Sequence, residues 1–303
     1  MGIMIYNSLL KVKQKLKDVI FECVKFPKVY KETSCYHILN SFETIEFILT
    51  HRCCVSRYGD GEFDVIRGAS PHFQKYDSRL AEKLRQVFVT PIPHLLVCIP
   101  YTIINVANRK KEAKRFWKYS TLRNLSFFRT ILTKDVVYGD SLITRFYIDY
   151  EDKSHCAMQI EMLKKIWENQ HLIIVEGEQT RSGIGNDLFN NALSIQRILC
   201  PSVNAFSKYD NILESVIKNA TKDQLILLSL GMTASVLAYD LCQLGYWGID
   251  IGHLDVEYEW FRTGVSTKTA IKGKYVNEAA PVGGTIVATC DDEFYKKQIL
   301  DRI

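Results

Sequence analysis

The chain contains Ser56-Arg57-Tyr58-Gly59-Asp60-Gly61-Glu62, in which two carboxylates one residue apart are flanked by glycines just after an apolar run. Asp60 and Glu62 supply the hard oxygen ligands that Mg²⁺ or Mn²⁺ prefers, and a cation held there can bind a diphosphate. Gly59 and Gly61 let the backbone turn closely around a ligand. Arg57 offers a planar fork of N–H donors that suits phosphate oxygens and suits a structural ion pair equally well. By itself an Asp-Gly-Glu triplet is weak evidence, because acids and glycines share turns throughout proteins.

A second polar, glycine-rich stretch runs from Glu176 to Asp187 after the apolar run Leu-Ile-Ile-Val. Glu178, Arg181, Asn186 and Asp187 are its candidate nucleotide or sugar contacts; the plainer reading is a loop whose Asn186 or Asp187 caps a helix beginning near Asp187. It matches neither the Gly-Lys-Ser/Thr phosphate loop nor the GxGxxG dinucleotide fingerprint, which weighs against kinases and dehydrogenases. Thr233 follows Gly231 where another apolar run gives way to a helical pattern. Its hydroxyl and the N–H groups around it can take a phosphate or simply cap the helix. In Gly252-His253-Leu254-Asp255-Val256-Glu257-Tyr258-Glu259-Trp260, polar and apolar residues alternate. If extended, His253, Asp255, Glu257 and Glu259 share one face, where His253 can join Asp60 and Glu62 as a metal ligand and the acids can act as a base; if helical, they scatter.

These residues need a scaffold that brings loop ends together. Short apolar runs recur at CCVSRYG, HLLVCIP, DVVYGD, HLIIVEG, LILLSLG and GIDIGH, and read as strands. Between them SRLAEKLRQVF, CAMQIEMLKKIWEN, NDLFNNALSIQRIL, YDNILESVIKNA and TASVLAYDLCQLG read as helices. The alternation predicts an α/β fold with a mostly parallel sheet flanked by helices, which binds ligands at the carboxyl ends of its strands. Residues 3 to about 31 carry apolar positions near helical spacing among Lys11, Lys13, Lys15 and Lys17. They predict an N-terminal amphipathic helical extension over 1–40, ahead of one domain over 41–303. The extension packs on the body, makes a homo-oligomer contact, or lies on an anionic membrane surface.

The 303 residues are 47% hydrophobic and 24% charged, which excludes disordered and fibrous classes. A net charge of +5 suits anionic ligands and falls short of a nucleic-acid signature. Nine scattered cysteines without a CxxC pair indicate reduced thiols, and the first residues lack a signal-peptide pattern, so a cytoplasmic location follows, with peripheral contact at the inner face of the membrane as the alternative.

Taken together, SRYGDGEF, VEGEQTRSGIGNDLF, CPSVNAFSKYDNIL, LGMTASVLAYDL and DIGHLDVEYEWF resemble the bacterial GT-D-fold glycosyltransferases, formerly a domain of unknown function, over roughly residues 50 to 262. The resemblance implies a modified Rossmann-like sheet, a UDP-hexose donor such as UDP-glucose or UDP-galactose, and a divalent cation, commonly Mn²⁺, at an Asp-x-Glu motif matched by Asp60-Gly61-Glu62. It also implies a glycan, glycolipid or glycoprotein acceptor in surface polysaccharide or glycoprotein glycan assembly. On that reading the cation, Arg57 and Arg181 neutralise the leaving diphosphate. Asp255, Glu257, Glu259 or Asp60 takes the acceptor proton if configuration inverts. The rival readings are a metal-dependent phosphohydrolase, disfavoured by the few histidines, and a non-catalytic sugar-binding or scaffold subunit.

Overall fold

The computed structural model describes residues 21–71, 73–279 and 290–303. Most of the basic helix expected from residue 3 lies outside them. By contacts the chain forms two compact units: residues 1–37 with 102–137, and residues 38–101 with 138–303. The grouping places the stretch 102–137 with the N-terminal segment.

In the first unit α1 (Phe26–Thr33) packs with α5 (Lys111–Ile131). Phe21 stacks on Tyr119 with ring centroids 3.9 Å apart, and Glu32 pairs with Arg129. Thr33 Oγ1 donates to the Ile103 carbonyl at 2.8 Å. The buried side of α5 comprises Trp117, Ser120, Thr121, Asn124 and Phe128, so three of these five inward residues are polar. This hides the helical period from a count of apolar residues, and the helix went unread in the sequence.

The second unit is built on a nine-stranded sheet in the order β1-β4-β3-β2-β8-β7-β5-β6-β9. Its strands are β1 (His37–Ile38), β2 (Cys54–Arg57), β3 (Leu95–Ile99), β4 (Val137–Asp140), β5 (His171–Gly177), β6 (Ser194–Cys200), β7 (Leu225–Ser229), β8 (Trp247–Asp250) and β9 (Ile299–Arg302). Every pairing from β4 through β9 is parallel. All five residues of β7 and six of the seven in β5 are buried, as expected for strands covered on both faces. The mostly parallel α/β expectation holds.

The second unit's helices are α2 (Ser41–His51), α3 (Asp60–Ile66), α4 (Ser78–Val89), α6 (Cys156–Trp167), α7 (Tyr209–Asn219), α8 (Met232–Gln243), α9 (Leu254–Thr263) and α10 (Glu293–Gln298). Local chemistry sets their ends. The Asn40 side chain accepts from the Phe42 and Glu43 N–H groups while the Glu43 carboxylate accepts the Asn40 N–H, a reciprocal cap that starts α2. The stretch Asn186–Leu199, read as helical, instead forms turns followed by β6. Leu188, Ala192, Ile195 and Leu199 mimic a helical period, but from Ser194 to Cys200 the chain pairs residue for residue with β5. That ladder outweighs the local pattern.

Candidate functional site

β2 lies inside the sheet between β3 and β8, and the sequence after it starts α3 directly. Arg57 closes the strand. Its Nε donates to the Asp250 carbonyl at 2.7 Å, Nη2 to Asp250 Oδ1 at 2.9 Å, and Nη1 to the Ser141 carbonyl and Thr144 Oγ1 at 2.8 and 2.6 Å. Arg57 thus ties the end of β2 to β8 and to the turn after β4, and these bonds commit most of its donors. Gly252 makes this possible: its φ is +47°, and a Cβ there would lie 2.0 Å from Arg57 Nη2. Burial raises the Asp250 carboxyl, and Arg57 opposes the rise.

Asp60 and Glu62 occupy the first turn of α3. Glu62 Oε2 accepts the Gly59 N–H at 2.7 Å, so one of its oxygens is committed to the helix start. Burial pushes the Glu62 carboxyl up to about 7; backbone N–H bonds oppose the rise, while Asp250 and Asp60 add to it. Gly61 serves packing, since a Cβ there would lie 2.8 Å from Met232 Cε. The starts of α3 and α8 therefore meet. Ser56 Oγ donates to the Ser235 carbonyl and Ser235 Oγ to the Arg57 carbonyl, each at 2.7 Å, which locks β2 to α8. Thr233 is fully buried, one residue inside α8, and its hydroxyl has no hydrogen-bond partner among the described residues. Gly231, not Thr233, stands at the cap.

At the end of β5, Glu178 is exposed, and its carboxylate has no partner among the described residues. Arg181 is buried with φ +52° and donates through Nη1 to the Gly273 carbonyl at 2.9 Å. The following turns are strapped to α9. Asp255 Oδ1 accepts Gly183 N and Asn186 Nδ2, both at 2.8 Å, and its Oδ2 accepts Lys274 Nζ at 2.6 Å. Asn186 Nδ2 also reaches Glu259 Oε1 at 2.7 Å, with Lys274 Nζ at 3.3 Å. Asp187, half exposed, accepts the Tyr258 hydroxyl at 2.7 Å, which holds its carboxyl below the ordinary value.

Helical geometry decides the question left open for residues 253–260. Asp255 and Glu259, four apart on α9, share a face, while Glu257 points elsewhere. Glu257 is fully buried and accepts Tyr147 N and Ile148 N at 3.1 Å beside Arg145. Burial raises its carboxyl against the pull of Arg145. His253 Nδ1 lies 3.4 Å from Glu278 Oε2. Burial would raise the Glu278 carboxyl, but Arg145 and His253 outweigh it and hold it well below the carboxylate range. The strand ends thus bring Arg57, Gly59, Asp60, Gly61 and Glu62 to the start of α8, whereas Asp255, Glu259, Asn186 and Lys274 form a strap of their own, with Arg181 bonded to the neighbouring Gly273 carbonyl.

The family model described as the glycosyltransferase GT-D fold matches residues 55–279. The chain belongs to this family. It is 42% identical over 262 residues to glycosyltransferase GlyD of Streptococcus pneumoniae serotype 4, covering 86% of this chain and 32% of that protein. It is 40% identical over 242 residues to a probable glycosyl transferase, Gly, of Streptococcus gordonii, covering 80% of this chain and 35% of that protein. The chain thus spans about a third of the length of these relatives. A solved structure described as a highly conserved domain with a distinct glycosyltransferase fold superposes with a TM-score of 0.85 at 38% identity, over 91% of this chain and 99% of that one. A structure described as a new glycosyltransferase from Streptococcus sanguinis gives 0.83 at 37% identity, over 88% and 99%.

Within this GT-D-fold chain, no group of three or more His, Cys, Asp or Glu able to hold a metal occurs among the described residues. Asp60 and Glu62 nonetheless carry the hard oxygens a divalent cation takes; one Glu62 oxygen is committed to the Gly59 N–H, and the Glu62 carboxyl is raised chiefly by burial, with Asp250 and Asp60 adding to the rise. His253, engaged with Glu278, is not grouped with them. Sequence reading missed Arg145, Asp250, Lys274 and Glu278. Arg145 and Glu278 are 133 residues apart, and Arg57 and Asp250 are 193 apart, so no local motif joins them.

Proposed function

We propose that this chain transfers a hexose from a UDP-sugar to a glycan acceptor in surface polysaccharide or glycoprotein glycan assembly, with a divalent cation at Asp60 and Glu62. The observation that carries this reading is the meeting of the Asp60–Glu62 turn with the start of α8 at the carboxyl end of β2, in a member of a glycosyltransferase family. Bound there, Mn²⁺ or Mg²⁺ would offset charge developing on the leaving diphosphate. The N–H groups opening α8 favour the same anion. Arg57 acts as a positioning residue, fixing the β2 end through Asp250. Glu178, exposed at the end of β5, is assigned to hydroxyls of the donor; parallel strand spacing puts β5 roughly 14 Å from β2.

Asp255 and Glu259 position the 181–187 turns in this reading, because Gly183, Asn186 and Lys274 already engage their oxygens. Glu257 likewise positions the chain at Tyr147 and Ile148. The acceptor is a glycan on a lipid or protein carrier, met at the cytoplasmic side.

The test is donor hydrolysis and transfer by the full chain across a panel of nucleotide sugars, with Mn²⁺ or with EDTA. The expected result is Mn²⁺-dependent release of UDP from one UDP-hexose, reduced about 100-fold or more in Glu62→Ala with the fold retained. Equal turnover in EDTA, or full activity of Glu62→Ala, removes the cation from the reaction. Hydrolysis of simple phosphate esters would favour a phosphohydrolase instead.

A further inference from the structure

The charge of this chain is segregated between its two units. Residues 1–37 and 102–137 hold 16 Lys and Arg against five Asp and Glu, a net of +11. The whole chain carries +5, so the second unit is at −6. The excess persists without the N-terminal lysines: residues 21–37 and 102–137 alone contain 12 basic and four acidic side chains.

On α5, Lys111, Arg115, Tyr119 and Arg123 are exposed at four-residue intervals, a stripe about 18 Å long at 1.5 Å per residue. Phe116 stands beside the stripe, 47% exposed, and Tyr119 is 38% exposed. In the same unit Tyr30 and Val24 are exposed at 41% and 50%, along with Lys25, Lys28 and Lys31. Tyr119 also stacks on Phe21, but a merely solvated helix face gains nothing from a ring as exposed as Phe116. Basic side chains whose aliphatic stems and aromatic neighbours can enter an interface, with charged ends at the level of phosphates, match an anionic bilayer.

We infer that this first unit docks on an anionic lipid surface through the exposed face of α5. The exposed Phe116 ring beside these cations favours a surface with an apolar interior over a flexible hydrophilic polyanion. Near an anionic leaflet each basic side chain contributes about fivefold in affinity, and the attraction falls off within about 8 Å at physiological salt. Lys111, Arg115 and Arg123 lie along one helix face, so a helix lying flat on the surface brings all three within that distance of it.

The experiment is flotation of the full chain with phosphatidylcholine vesicles, with and without phosphatidylglycerol, across a salt series, with poly-glutamate as competitor. The expected result is binding that requires phosphatidylglycerol and weakens as salt rises. The double variant Arg115→Glu with Arg123→Glu, which leaves Lys11 to Lys17 in place, loses at least about tenfold in partitioning. Phe116→Ala loses severalfold, most visibly at high salt, where the apolar contribution dominates. Donor hydrolysis by all three proteins stays equal, which shows that they are folded, and vesicle binding is read without donor or acceptor. Absence of binding to anionic vesicles overturns the inference, as does unchanged binding by the double variant. Tighter capture by poly-glutamate, together with no effect of Phe116→Ala, overturns it in favour of an acidic polypeptide.

Discussion

The Glu62 carboxyl couples stability to pH in a way that bears directly on the proposed cation. Burial lifts its native value from 4.5 to about 7. Between those values the native chain holds a proton that the unfolded chain has released, so stability falls as pH rises through the interval and levels off above it. The shift corresponds to at most about 3 kcal/mol. In EDTA, urea unfolding of the wild type should lose more stability between about pH 5 and pH 8 than Glu62→Gln does, which cannot ionise. Saturating Mn²⁺ should return much of that loss to the wild type and none to the variant, because the cation binds the ionised carboxyl. Parallel pH curves for the two proteins, indifferent to Mn²⁺, would separate Glu62 from both the strained ionisation and the cation.

Elements, more than single residues, decide what the acids of α9 do. The Asp255 carboxylate holds Gly183, Asn186 and Lys274 at once, so it fastens the turns after β5 onto the helix. Asp255→Asn removes the charge opposite a buried lysine and should lower stability by about 3 kcal/mol, read by urea unfolding. Per folded molecule, turnover should fall modestly, with KM rising more than kcat falls; retained stability with a loss of kcat above about 100-fold would instead make Asp255 a general base. This strap could not be read from sequence: alternation over 253–260 was compatible with a strand, and Lys274 lies in no recognisable motif. The strands themselves were legible, because β2, β3, β4, β5, β7 and β8 are short, largely apolar runs, most of them ending in Gly, Asp or another polar residue and β3 in Pro100. β6 was not, because its apolar residues fall at helical spacing and only pairing with β5 fixes it as a strand. The Asp60–Glu62 turn was legible as a candidate site because its two acids stand only two positions apart, among glycines. The structural role of Arg57 was not, because it requires Asp250 on a strand brought alongside by the sheet.

At the scale of the whole molecule, the two units should answer differently to salt. A net of +11 confined to residues 1–37 and 102–137 repels itself, and this repulsion reaches farther as the Debye length grows from about 8 Å at physiological salt to about 30 Å at 0.01 M. The sheet of the second unit draws its stability from strands such as β7, buried at every residue, whose contribution is apolar and nearly insensitive to low salt. Amide hydrogen exchange on the full chain separates the two by position. Raising salt from about 0.02 M to about 0.3 M should slow exchange along Lys111–Ile131 by roughly three- to tenfold, while amides of Leu225–Ser229 keep their rates. Anionic vesicles at low salt should protect the same helix, since a charged surface relieves the repulsion that salt screens. Uniform protection by salt across both units would mean that the charge segregation written in the sequence has no separate effect on the first unit's stability.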